Sequence, residues 1–205
     1  MNAVSSLVIV GAGHAGVQAA ASLRDEGFSG ALTLLCDETH LPYQRPPLSK
    51  AFLKGQMELD GLPLRGEKFF EEQRIDLALG VAAVRVDRAH RRVELDRDSA
   101  EPYDHLILAT GARARVLRIP GLDLDGVHAL RAIRDAAAIK AALGTARRVV
   151  VIGAGFIGLE IAATGRWAAR SRRSCPPSSS KRTRLSARSS SSDSASPRCM
   201  ARTGA

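Results

Sequence analysis

The chain has 205 residues, enough for one or two domains, and its 45% apolar content is that of a globular protein rather than a disordered one. A formal net charge of +9 would point to nucleic acid or a membrane surface if it were spread over the chain. It is not: from Gly165 onward stand nine Arg and one Lys against one acid, Asp193, which leaves 20 basic and 20 acidic residues before that point.

No apolar run approaches the roughly 20 residues of a membrane span. The start, MNAVSSLVIVGAG, lacks the basic opening of a signal peptide, so none is expected. The three cysteines, Cys36, Cys175 and Cys199, form no C-x-x-C pair. That argues against a redox disulfide and against a zinc site, and no metal is expected. Nothing asks for an oxidising compartment, so a cytoplasmic setting is the default.

Leu7–Val10 reads as a fully buried parallel strand. It runs into G-x-G-x-x-G at Gly11, Gly13 and Gly16, and then into a helix over Ala15–Glu26 that Gly27 stops. The three glycines serve a tight turn, a close backbone approach to a pyrophosphate, and close packing of helix on strand. The helix N-terminus then faces the phosphate. His14 and Ala15 lie inside this turn; from the turn alone a tolerated variable position is the simpler reading of His14. Ala31–Leu35 is the second strand, and Asp37 follows it at the spacing of ~20 residues where a carboxylate can accept ribose hydroxyls. A lone Asp there would be an ordinary strand-end residue; the glycines upstream favour the ribose.

In LPYQRPPLSKAFLKG, Leu41–Gly55, the pair Pro46–Pro47 makes a stiff entry into a helix near Leu48. The stiffness would hold Arg45 and Lys50 in defined places. A positioned lysine beside a flavin can stabilise the reduced, anionic ring; from spacing alone a solvated loop lysine is the simpler reading. The segment D-E-x-H-L-P-Y-x-R-P-P-L-S-K-A-F-L, so soon after G-A-G-x-A-G, closely resembles the FAD-dependent ferredoxin reductases of the pyridine nucleotide-disulfide oxidoreductase superfamily. These include the putidaredoxin and rubredoxin reductases and the electron-supplying subunits of aromatic-ring dioxygenases. The resemblance runs from Val4 to about Thr164.

Phe69–Asp76 reads as helix, and Leu77–Val84, Arg85–Asp87 and Arg91–Asp96 as short antiparallel strands. The resemblance implies that the backbone near Ala83 touches the adenine. YDHLILATGA, Tyr103–Ala112, reads as a strand carrying the family's A-T-G, and Thr110 and Gly111 would let the backbone approach FAD. The resemblance also matches Arg131 to a flavin-contacting position. Without it, Arg131 is a surface residue ahead of a helix over Asp135–Leu143.

Val149–Ile152 then reads as a second parallel strand. Gly153, Gly155 and Gly158 repeat the fingerprint, and two copies predict two dinucleotides on one polypeptide. Glu160, read in the first helical turn, matches a family residue that approaches the Lys of P-P-L-S-K. The expectation is a Lys50–Glu160 ion pair near the site of hydride transfer; a helix-N-terminal acid favoured by the dipole fits as well.

After Thr164 the composition turns to Ser and Arg, with no apolar period and no means of burying a core. A nucleic-acid arm, a targeting extension and an out-of-frame translation compete. Trp167 has the single codon TGG, so a shifted frame spells Gly at that junction. The shifted reading is compatible with L-G-x-x-V-x-x-V-V, a turn and then an apolar strand. A frameshift near codon 164 is therefore the preferred reading.

The fold expected is α/β. An incomplete Rossmann-like FAD-binding domain spans residues 1–111, and the crossover and start of a Rossmann NAD(P)-binding domain spans 112–164. A disordered tail spans 165–205. The resemblance implies transfer of electrons from NAD(P)H through FAD to a [2Fe–2S] ferredoxin or a rubredoxin, with no nucleic-acid or membrane partner. It also implies a later segment that completes the FAD domain, so this chain is expected to hold FAD weakly and turn over little. The alternative is a non-catalytic remnant with weak or no nucleotide binding.

Overall fold

Short apolar runs lay down a parallel sheet first. In the computed structural model, which describes residues 4–115 and 117–171, β1 (Ser6–Val10) pairs in parallel with β2 (Ala31–Cys36) and joins it through helix α1 (His14–Asp25). The readings made on 172–205, Cys175 and Cys199 among them, lie outside the described residues. The described chain divides into two units, one of Met1–Gln44 with Asp60–Arg113, the other of Arg45–Leu59 with Ala114–Ala205.

In the first unit α1 ends where expected, with Gly27 at φ +86° just beyond it and the Phe28 amide donating back to the Leu23 carbonyl at 2.9 Å. Helix α2 (Glu67–Glu72) follows, shorter than the Phe69–Asp76 reading, and delivers the chain to β3 (Asp76–Leu79). Strand β7 (His105–Leu108) completes the sheet, in the order β3-β2-β1-β7 with every pair parallel. A second sheet is antiparallel: β4 (Ala83–Asp87), β5 (Arg92–Leu95) and β6 (Ala100–Pro102), in that order.

These strands correct two readings. Leu77–Val84 is not one antiparallel strand. Its first half continues the parallel sheet as β3, and its second half begins the other sheet as β4. The break is Gly80 at φ +65°, after which the Val81 amide donates to the Cys36 carbonyl at 2.8 Å. The strand read over Tyr103–Ala112 also shortens to β7, because the last amide tied to β1 is that of Ala109, on the Val10 carbonyl at 2.8 Å.

Alternation places the core. Leu7 and Ile9 of β1, with Leu32 and Leu34 of β2, face Val17 and Ala20 of α1 and Phe70 of α2. Val8, Val10 and Leu35 face the other way, onto Val93 of β5. A parallel sheet covered on both faces needs apolar residues at successive positions, which explains the continuous run SLVIV. Cutting Ile9 or Leu34 back to alanine would cost ~2–5 kcal/mol at such sites.

Two polar anchors hold the edges of this unit. The Arg24 guanidinium donates to the carbonyls of Gln73, Phe28, Gly30 and Arg74, binding the end of α1 to the chain between α2 and β3. Burial first, and Arg74 second, pull its pKa below the usual value. Asp104 Oδ2 accepts from the Ser5 amide at 2.9 Å, the Ser5 hydroxyl at 2.7 Å and the Ser6 amide at 3.0 Å, which ties the start of β7 to the start of β1.

In the second unit, Pro46–Ser49 forms a single 3-10 turn rather than the start of a longer helix. Leu48, Phe52 and Leu53 are buried. Helix α3 (Ile133–Thr145) starts two residues earlier than read. Its third residue, Asp135, turns back to accept from the amides of Arg131 at 2.9 Å and Ala132 at 2.8 Å, half of a capping box. Helix α4 (Phe156–Ser171) runs seven residues past Thr164, beyond where the sequence pattern breaks. The segment GRWAAR has no residue barred from a helix except its tolerated glycine, so local propensity carries α4 on.

The strand read over Val149–Ile152 does not form. Among the described residues no strand pairs with it, and an unpaired strand leaves its amides and carbonyls to water. Ile152 is 65% exposed as a result.

The Asp104 anchor predicts an acid sensitivity. Hydrogen bonds from Ser5 first, and from Ser6, lower its carboxyl to about 2. The unfolded reference is ~3.9, so its stabilisation is complete above that value and is lost as pH falls towards 2. The gap in urea midpoint between the native chain and Asp104→Asn should be wide at pH 5 and close by pH 2. A gap independent of pH would contradict the assignment.

Candidate functional site

Each glycine turn can be tested by asking what a Cβ would meet. Gly11 leaves β1 at φ +105°, with its amide on the Leu35 carbonyl at 2.9 Å. A Cβ there would lie 2.3 Å from the Ala109 carbonyl oxygen, and one on Gly16 would lie 1.9 Å from that of Gly11. Both glycines are demanded by the protein itself. Gly13 is different, since its Cβ would meet nothing within 4 Å. The chain gives no internal reason for glycine at the middle position. That is the position where the fingerprint brings backbone against a pyrophosphate.

The second turn repeats the geometry. Gly153 has φ +104°, a Cβ on Gly158 would lie 2.2 Å from the Gly153 carbonyl oxygen, and Gly155 has open space. Both helices begin without an acidic residue in the first turn, and α1 has no side-chain cap on its first amides. The uncapped amides of α1, and a dipole with no acid against it at either helix, favour an anion at these N-termini. The residues fit two dinucleotide diphosphates.

The remaining residues of the first unit are placed as follows. His14 and Ala15 open α1 and are exposed. Asp37 stands exposed directly after β2. Ala83 begins β4 opposite Leu95. Thr110 and Gly111 follow β7, with Gly111 at φ +67°.

In the second unit, Arg45 Nη1 donates to the Arg131 carbonyl at 2.8 Å, so the two arginines meet through backbone rather than as paired charges. Lys50 Nζ stands 3.0 Å from Glu160 Oε1, the ion pair anticipated from the sequence. Glu160 is the fifth residue of α4, not part of its first turn as read. Its partners are therefore side chains: the Ser49 hydroxyl donates to Oε2. Ser49 first, then Lys50, hold its carboxyl below the ordinary range. Thr164 Oγ donates to the Ser49 carbonyl at 3.2 Å. The sequence reading passed over Ser49 and Thr164, although Ser49 adjoins Lys50 and Thr164 lies one helical turn beyond Glu160.

The chain belongs to the pyridine nucleotide-disulphide oxidoreductase family, which matches residues 5–173. It is 52% identical over 161 residues to rhodocoxin reductase of Rhodococcus erythropolis, covering 78% of this chain and 38% of that protein. It is 46% identical over 158 residues to the rubredoxin-NAD(+) reductase of Pseudomonas putida, covering 77% and 41%. Among solved structures, the reductase of the covalent putidaredoxin reductase–putidaredoxin complex superposes with a TM-score of 0.74 at 40% identity, over 82% of this chain and 41% of that one. The chain thus spans about two-fifths of the length of these relatives.

The turn geometry separates two substitutions. Gly16→Ala should destabilise the first unit by ~3 kcal/mol or more, since backbone blocks the new methyl. Gly13→Ala should change stability by under ~1 kcal/mol and yet reduce FAD retention at least tenfold. Thermal melting and equilibrium dialysis of FAD read the two effects; equal FAD retention in Gly13→Ala and the native chain would remove the phosphate role.

Proposed function

We propose that the chain carries the nucleotide-binding elements of a flavoprotein oxidoreductase that passes electrons from NAD(P)H through FAD to a ferredoxin or a rubredoxin. The observation that carries this reading is the pair of turns, each with a middle glycine that the protein itself does not require. The names of the relatives agree in kind: rhodocoxin reductase, rubredoxin-NAD(+) reductase and a putidaredoxin reductase bound to putidaredoxin.

FAD, when bound, accepts hydride from the nicotinamide and releases electrons one at a time. In this reading Gly11, Gly13 and Gly16, with His14 and Ala15, present amides to the FAD diphosphate. Asp37 accepts the ribose hydroxyls, Ala83 borders the adenine, and Thr110 and Gly111 bring backbone to the cofactor. Arg45 and Arg131 border the flavin. Gly153, Gly155 and Gly158 receive the diphosphate of NAD(P)H. Lys50 supplies positive charge that favours a reduced, anionic ring, and Glu160 holds that ammonium in place. The setting proposed is the cytoplasm; among the described residues no helix is long and apolar enough to cross a membrane.

A second reading is a non-catalytic remnant with weak or no nucleotide binding. One observation favours it: residues 149–152 pair with no strand among those described, so the second turn lacks the sheet that anchors the first. The two readings part on colour. Purified chain incubated with FAD and desalted should stay yellow and be bleached by NADH or NADPH without oxygen, and it should then reduce added ferredoxin or rubredoxin. A colourless chain, or a yellow one that neither nucleotide bleaches, favours the remnant.

A further inference from the structure

Helix α4 grips residue 49 at two points. Its Thr164 hydroxyl donates to the Ser49 carbonyl at 3.2 Å, and its Glu160 carboxylate accepts the Ser49 hydroxyl. Glu160 and Thr164 are four residues apart and so share one face of the helix. Ser49 and Thr164 are buried, at 5% and 1% exposure. The Lys50 side chain is 53% exposed.

The two carboxylate oxygens are therefore divided. Oε2 faces a buried, neutral donor that is itself held by the helix, and Oε1 faces an exposed cation. An exposed pair alone is weak, worth ~0–1 kcal/mol, and its long side chains exchange between geometries. A buried hydroxyl on the other oxygen restrains that freedom, because a carboxylate that turns away leaves the Ser49 hydroxyl only a longer bond, to the Pro46 carbonyl at 3.4 Å. The charged residues of α3, which packs against the same segment, are engaged elsewhere: Arg134 with Asp135, Asp135 with the Arg131 and Ala132 amides, and Lys140 with Glu58. Lys50 is the cation that faces Glu160 among the described residues.

We propose that Ser49 is a positioning residue for the Lys50–Glu160 pair. Clamped by Thr164 through its carbonyl, it fixes the Glu160 carboxylate through its hydroxyl and so sets where the Lys50 ammonium stands. What the pair does for a flavin rests on the function proposed above; the clamp itself does not.

The test uses the full chain without cofactor, with the Glu160 carboxyl followed by carbon-13 NMR through an acid titration. In Ser49→Ala the Glu160 midpoint should move up towards that of an ordinary glutamate. In Ser49→Thr, which keeps a hydroxyl, it should stay near the native value, and in Lys50→Met it should rise less than in Ser49→Ala. An unmoved midpoint in a folded Ser49→Ala chain overturns the proposal. Should that variant fail to fold, Ser49→Cys keeps the volume with a far weaker donor, and its midpoint decides by the same criterion. Bleaching of FAD-loaded chain by NADH is read separately. A shifted midpoint without bleaching upholds Ser49 and counts against the reductase reading; bleaching with an unmoved midpoint does the reverse.

Discussion

The contact on which the rest depends is between two glycines. The Cα of Gly16 lies so close to the Gly11 carbonyl that no side chain fits between them. That approach lets α1 lie directly on β1, so Val17 and Ala20 reach Leu7 and Ile9 and the sheet closes on one face. The packing of helix on strand thus follows from one missing methyl group.

The same contact recurs at Gly153 and Gly158 in other surroundings. The first turn is braced from outside, by the Leu35 carbonyl on the Gly11 amide and by the Ala109 carbonyl beneath it. The second has no such brace among the described residues, and Phe156 at the start of α4 is 88% exposed. Yet the two φ angles differ by a degree. The turn is a local property of G-x-G-x-x-G, whereas the strand before it is a property of its neighbours.

That distinction explains how much could be read from the sequence. The first strand–turn–helix was legible because apolar run, glycines and helix start are all local. The Lys50–Glu160 pair was legible through resemblance to a family, not from spacing. The fate of Leu77–Val84 was hidden, because one strand-forming segment serves two sheets and only Gly80 marks the change. Val149–Ile152 has the composition of a buried strand, but composition does not supply a partner. The roles of Ser49 and Asp104 were invisible for a related reason: each acts on a residue about a hundred positions away, Ser49 on Glu160 and Asp104 on Ser5.

The order of the parallel sheet also bears on how this chain is made. β1 is made before every other strand of its sheet, but one of its two neighbours, β7, is made last of them. At ribosomal rates the intervening residues take on the order of ten seconds to appear. Throughout that interval one edge of the most apolar strand has nothing to pair with, and an open edge is where a nascent chain aggregates. The Asp104 carboxylate closing on Ser5 and Ser6 is then the latch of a late event. A weakened latch would then be felt in expression yield as well as in the stability of the finished protein.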